Sequence, residues 1–284
     1  MQDILKSNTP AFVFDTAALK KRVAQIKEIV GETVSLCYSM KANPFFVPAM
    51  ITCVDKLEVC SPGELTICKK LGVDASRIIY SGVNKEIPDI KEAYEYGVGT
   101  FTAESVRQAD LIQQVVETAA AGEKAEVILR LNSGSQFGMS KEDLLTILQC
   151  RESKYTSLNF TGIHYFVGTQ RKRAKRKIKE LQMLLELFEE IRNKCGLKLK
   201  KLEYGPGFAV PYFEDDDFED TLYPVKELKD TLKQVAQQVD LTIEMGRFFT
   251  AECGTYYTNV ADLKTVGNAH YCILDGGMNH LTYL

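Results

Sequence analysis

Apolar positions along the chain fall into two alternating rhythms. Between Thr9 and Asp15 a short apolar run ends at the aspartate, and from Thr16 to Val30 the residues Leu19, Val23, Ile26 and Val30 return at helical spacing, so a strand leads into a helix. Val34, Leu36 and Tyr38 then interleave with Ser35, Cys37 and Ser39. This strand stops at Asn43-Pro44, because the residue before proline is pushed out of helical geometry. Beyond it the pattern predicts helix 45–54, strand 56–59, helix 62–71 with proline in its first turn, strand 77–80, helix 87–96, strand 99–102 and helix 104–120. Strand 126–131, helix 141–150, strand 160–166, helix 175–194, strand 199–204, helix 225–239 and strand 241–244 follow. Counting from Val34, eight strands alternate with helices, the signature of a closed parallel (β/α)8 barrel. After Gly246 the rhythm changes, and 248–260, 262–266 and 270–274 read as successive strands. The expected architecture is α/β: a strand and helix over 1–32, a TIM-like (β/α)8 barrel over 33–250, and the start of an all-β domain over 251–284.

With 284 residues and 45% hydrophobic content, the chain can bury a large core. A net charge of -3 offers no field for a polyanion, so nucleic acid is disfavoured and a small-molecule substrate is expected. Eight scattered cysteines read as reduced core thiols of a cytoplasmic protein, and no C-x-x-C pair with nearby histidines suggests a metal. Met1 to Pro10 lacks the apolar core of a secretion signal, and no run has the length to span a bilayer. A basic run over 171–179 and an acidic insertion over 214–220 read as solvated loops or helix faces. The alternative is docking of a charged partner, such as an acidic carrier protein on the basic run.

Barrel enzymes place their chemistry at the carboxyl ends of the strands. Lys41 follows the first strand, and a lysine there is either solvated or a Schiff-base amine. Glu58 ends the second, with Ser61 placed to cap the next helix. Arg130 ends the fifth, as a surface ion pair or an active-site cation; His164 lies on the sixth, as a satisfied core residue or an active-site one. Gly205 and Gly207 follow the seventh, where barrels often bind phosphate, and Glu244 ends the eighth.

Tyr38-Ser39-Met40-Lys41-Ala42-Asn43 resembles the cofactor-lysine motif of the fold type III pyridoxal phosphate (PLP) enzymes, in the branch containing diaminopimelate and ornithine decarboxylases. Further blocks follow in the family's order. Glu58 with Ser61-Pro62-Gly63-Glu64-Leu65 resembles an acidic strand end and S-x-x-E-L, although relatives more often carry aspartate at the first position. Leu129-Arg130-Leu131-Asn132 is similar to L-R-x-N, and His164-Tyr165-Phe166-Val167-Gly168-Thr169-Gln170 to H-x-H-x-G-S-Q. Gly205-Pro206-Gly207-Phe208 resembles G-G-G-F, Glu244-Met245-Gly246-Arg247-Phe248 resembles E-P-G-R-Y, and Asp275-Gly276-Gly277-Met278-Asn279 resembles D-x-G-M-N.

The resemblance implies that Lys41 carries PLP, with Glu58 and Arg130 near it. Thr169, Gly205, Gly207, Gly246 and Arg247 would hold its phosphate. Phe166 stands where the family stacks a histidine on the ring. A phenyl group can pack there but can neither donate a hydrogen bond nor carry a proton. Glu244 would face the pyridine nitrogen, and since racemases and PLP-binding proteins of this fold use arginine there, it implies decarboxylation. Lys41, Glu244 and His164 are thus the expected catalytic residues of an amino acid α-decarboxylase. Racemisation and a non-catalytic PLP-binding role are the alternatives. Diaminopimelate is the first substrate implied; Phe166 and Met245 raise another amino acid, or a carrier-bound one. Cross-subunit sites in similar proteins imply a homodimer. Relatives continue past the D-x-G-M-N block, so 251–284 is expected to begin a β-domain that is either cut short or dispensable.

Overall fold

The computed structural model describes residues 8–119, 123–213, 216, 218 and 220–281. Met1 to Ser7, and Glu214, Asp215, Asp217 and Glu219 of the acidic insertion, lie outside the described residues. The chain divides into two compact units, one of Met1–Leu19 with Thr250–Leu284 and one of Lys20–Phe249.

Strand β1 (Ala11–Phe14) passes into helix α1 (Thr16–Val30), whose first turn is capped by Asp15. Its Oδ1 accepts from the N–H groups of Ala17 and Ala18 at 2.9 Å each. Eight strands then close into a parallel barrel. They are β2 (Ser35–Ser39), β3 (Lys56–Val59), β4 (Ile78–Tyr80), β5 (Thr100–Ala103), β6 (Ala125–Arg130), β7 (Leu158–Phe166), β8 (Lys201–Gly205) and β9 (Asp240–Met245). They pair in chain order, and β9 returns to β2 with Cys37 opposite Glu244. Helices on the outside bury these strands on both faces, as parallel sheets require.

The barrel interior is layered. At the amino-terminal end lies a polar floor, in which Thr100 donates to Glu126 at 2.8 Å, Lys201 pairs with the same carboxylate, and Lys56 donates to Thr242 at 3.4 Å. Above it Cys37, Ile79 and Ile128 form a buried cluster. The carboxyl-terminal end is polar again: Ser39, Glu58, Ser81, Thr102, Arg130, His164 and Glu244 are all buried. Barrels keep stability at the first end and chemistry at the last.

The connecting helices are α2 (Val47–Met50), α3 (Pro62–Lys70), α4 (Ile87–Tyr96), α5 (Val106–Thr118), α6 (Lys141–Gln149), α7 (Ala174–Cys195) and α8 (Tyr223–Ala236). Ser61 caps α3, its hydroxyl accepting from Glu64 N–H at 3.2 Å, and Ser105 and Ser140 cap α5 and α6 in the same way. Two segments depart from the sequence pattern. The helix expected over 45–54 splits into a 3-10 turn, Pro44–Phe46, and the single turn α2. Asn43 accepts from Phe45 N–H, and Pro44 and Pro48 each lack a donor, so a continuous hydrogen-bond ladder cannot form. The strand expected from residue 248 begins instead as the helical turn α9 (Arg247–Thr250). Phe248 and Phe249 are both buried, which alternation along a strand does not allow. Phe248 lies 4.9 Å from the Phe208 ring and 4.9 Å beneath the Arg22 guanidinium, while Phe249 meets Tyr38 edge-on at 6.3 Å.

In the other unit, β10 (Gly254–Tyr257) pairs antiparallel with β1. Strands β11 (Val260–Val266) and β12 (Ala269–Leu274) form a separate antiparallel ribbon that turns at Gly267, where φ is 61°. Asp275 after it accepts from Thr258 at 2.7 Å and from Asn259 N–H at 2.9 Å, which fixes the start of the D-x-G-M-N-like block. Among the described residues, no helix is long and apolar enough to cross a membrane.

Candidate active site

β2 ends at Ser39, and a 3-10 turn, Met40–Ala42, lifts Lys41 over the carboxyl end of the barrel. The Tyr38 hydroxyl donates to the Asn43 carbonyl at 2.6 Å and anchors this turn. The Lys41 side chain is 45% exposed, yet its Nζ lies 2.6 Å from Glu58 Oε2 and 3.4 Å from Glu244 Oε1, both side chains being nearly fully buried. Cys60 Sγ is 3.7 Å from the same nitrogen and the centre of the Phe166 ring 6.0 Å. Burial disfavours the ammonium, but Glu58 and Glu244 outweigh it and hold Lys41 well above the ordinary lysine range. Burial likewise pushes the Cys60 thiol up, away from thiolate chemistry.

Glu244 is the hub. Its Oε1 accepts from Ser39 Oγ at 2.7 Å, and its Oε2 faces His164 Nε2 at 2.9 Å. Burial raises this carboxyl, but Lys41 and the His164 hydrogen bond outweigh burial and hold it well below the ordinary range. Glu244 is therefore an ionised carboxylate within a buried layer. His164 is fully enclosed; burial lowers its imidazole, while Glu203 and Glu244 reverse the balance and raise it.

Three glycines bring backbone segments together at the mouth. A Cβ at Gly205 would run into the Phe166 ring, one at Gly246 would lie 2.7 Å from Ala42 Cβ, and one at Gly207 would strike the Gly168 carbonyl. Gly207 also has φ +58°, which side chains rarely adopt. Arg171 N–H donates to the Gly207 carbonyl at 2.9 Å. Gln170 both donates to the Val210 carbonyl and accepts from Val210 N–H, at 2.8 Å each. Gln170 does this at φ 56°, an unusual backbone for a non-glycine residue. Arg247 donates to the Tyr212 hydroxyl, with its guanidinium 5.3 Å from that ring's centre.

Lys41, Glu58, Phe166 and Glu244 thus lie around one point, and His164 joins them through Glu244. Gly205, Gly207 and Gly246 line the adjoining loops with Arg247, and Thr169 is exposed on the loop after β7. Arg130 pairs with Glu104 at 3.0 Å under the Phe137 ring rather than with Lys41's carboxylates. Sequence reading overlooked Ser39, Gln170, Tyr212, Glu104 and Glu203. The available signal for Glu203 was an acid between Leu202 and Tyr204 on a strand buried along its length.

A family profile described as "Pyridoxal-dependent decarboxylase, pyridoxal binding domain" matches residues 16–251. The chain belongs to this family. The match includes every site residue described above, and pyridoxal phosphate is the family's cofactor. The chain is 27% identical to a diaminopimelate decarboxylase of Aquifex aeolicus, over 96% of its own length and 67% of the relative's. It is also 27% identical to an L-glutamyl-[BtrI acyl-carrier protein] decarboxylase of Niallia circulans, over 96% and 68%. A crystal structure of an Aquifex aeolicus protein superposes with a TM-score of 0.86 at 26% identity, over 98% of this chain and 68% of that one. A lysine decarboxylase from Selenomonas ruminantium shares the fold with a TM-score of 0.85 at 24% identity, over 98% and 73%. The residues present fit the cofactor: an amine, an ionised acid, a flat ring and a cradle of backbone that side chains would fill.

Proposed function

We propose that the chain is a pyridoxal phosphate-dependent α-decarboxylase of a dibasic or diacidic amino acid, with diaminopimelate the first substrate to test. The observation that carries the reading is Glu244, a buried carboxylate on the last barrel strand, 3.4 Å from the Lys41 amine. When bound, the cofactor supplies an electron sink for the pair released as the Cα–carboxylate bond breaks. Lys41 is the amine that would carry it, and Glu58, 2.6 Å away, clamps its ammonium in place over the barrel mouth. Glu244, which accepts from Ser39 and lies against His164, would hold a proton on the ring nitrogen, the condition for a strong sink. An arginine there would not do so, which disfavours racemisation. Phe166 covers one face of the site and sheds water from it, while Gly205, Gly207, Gly246, Arg247 and Thr169 bind phosphate.

The test is loading with pyridoxal phosphate, then a CO2-release screen across diaminopimelate, lysine, ornithine, arginine and glutamyl derivatives. Wild type should release CO2 from one of them, and Lys41→Ala should lose both turnover and the visible absorbance of lysine-bound cofactor. Inversion of a chiral amino acid without CO2 release would overturn the reading in favour of a racemase.

A carrier-bound substrate is the second reading. Lys172, Arg173, Lys175, Arg176 and Lys179 are exposed at the start of α7, directly after the β7 mouth loop. Such a cluster complements an acidic carrier, the kind of substrate in the Niallia circulans relative's name. Arg173→Glu with Arg176→Glu should then raise KM for the carrier-bound amino acid and leave the free one unchanged. A cytoplasmic homodimer completes the proposal: the eight cysteines are all free thiols, which supports a reducing compartment. Sedimentation of the loaded protein checks the dimer.

A further inference from the structure

An acid that the reaction above does not use lies buried beside the catalytic layer. Glu203 on β8 is 2% exposed, and neither carboxylate oxygen has a hydrogen-bond partner. In register beside it on β7 is His164, whose Nδ1 is likewise buried and unpartnered. Neighbouring strands lie about 4.8 Å apart, and residues paired across a parallel ladder point the same way, so both side chains enter the barrel together. Leaving three such atoms unsatisfied is costly, and a carboxyl and an imidazole nitrogen can satisfy each other only with a proton between them. The other ring nitrogen is already committed: Nε2 lies 2.9 Å from the ionised Glu244 and must carry a proton to bond it.

We propose that Glu203 is a positioning residue for Glu244, acting through His164: its carboxyl group and Nδ1 of the imidazole share one proton, which leaves Nε2–H as a permanent donor to Glu244. Glu244 then receives donors from His164 and Ser39 and stays an anion toward the cofactor's ring nitrogen. His164 lies in the field of Glu203, Glu244 and Arg130, and Glu203 in that of His164, Glu244, Glu58 and Lys56, with the Cys37 thiol of β2 nearby. Burial lifts Glu203 to about 7, and His164 is raised as well, as suits a pair that retains a proton through neutrality. The catalytic meaning rests on the decarboxylase reading, but the shared proton does not, so the two can fail separately.

The chain has three histidines, so nitrogen-detected NMR of the full 284-residue protein can follow each one through a pH titration, with and without pyridoxal phosphate. His164 should titrate above the ordinary imidazole value of about 6.5. Glu203→Gln keeps the shape and removes the charge, and should lower the His164 midpoint by about one pH unit or more. Glu203→Met should lower it similarly and expose Nδ1 to faster exchange. In the loaded enzyme kcat should fall with KM unchanged, and the acid limb of the pH–rate profile should move. A wild-type His164 midpoint at or below the ordinary imidazole value, or one indifferent to Glu203→Gln, overturns the proposal. The wild-type titration decides the matter even if both variants fail to fold.

Discussion

At the scale of single residues, the chemistry is governed by how a lysine is held. An ammonium between Glu58 and Glu244 is stable but unreactive, since only the free amine attacks an aldehyde. Because these carboxylates raise the Lys41 ammonium above its ordinary value, capture of pyridoxal phosphate by the cofactor-free chain should accelerate with rising pH. Glu58→Gln removes one of the two charges, so stopped-flow capture near neutral pH should become roughly tenfold faster, an opposite charge being worth about one pKa unit or more. A slower capture would mean that Glu58 serves as the proton acceptor more than as a clamp. Glu244→Gln removes the other charge and should also speed capture, yet lower kcat roughly 100-fold, the usual scale for losing one preorganised charge partner, as measured by CO2 release. The thiol of Cys60, although 3.7 Å from Lys41, is pushed toward the neutral form by burial and should tolerate replacement by alanine.

At the scale of elements, the site is a meeting of loops, each delivered by a strand end. Gln170 ties the loop after β7 to the one after β8 through its two hydrogen bonds with Val210. Each such bond contributes about 1 kcal/mol, so Gln170→Ala should weaken pyridoxal phosphate affinity by roughly tenfold in an equilibrium titration. An unchanged affinity would remove this loop from the phosphate site. These elements were legible to different degrees. Strand ends were plain, because alternation stops just before the turn that carries Lys41 and one residue after Glu58 and Glu244. Turn α9 was hidden, since Phe248 and Phe249 look like strand residues until both are buried by Phe208, Arg22 and Tyr38. The Glu203 contact was hidden for another reason: a charge in a buried strand reads as an anomaly until the neighbouring strand shows which residue lies beside it.

At the scale of the whole molecule, the closed ring of strands was readable from the strand–helix rhythm, because every barrel strand except β4 runs at least four residues and carries buried apolar side chains that helices must cover. The polar layers inside were not, since inward and outward positions of a parallel strand are equally buried. That interior ties stability to pH. An unfolded glutamate ionises near about pH 4.3, whereas Glu203 does so at about 7. The folded chain thus holds this proton more tightly, and the stability it contributes is full below about pH 4.3 and lost as pH rises to about 7. Glu203→Gln, which cannot ionise, should therefore gain Tm relative to wild type between about pH 5 and about pH 8, by several degrees in calorimetry. A difference that stays flat or reverses would contradict the assignment.

The β11–β12 ribbon leads elsewhere. Val260, Leu263, Val266, Tyr271, Ile273 and Leu274 are all open to water on two strands whose outer edges carry unpaired backbone. Oily side chains beside free amide and carbonyl groups are the ingredients of intermolecular strand pairing. A single lysine at Leu263 should therefore raise the concentration at which this chain stays dispersed, as read by light scattering, without touching catalysis.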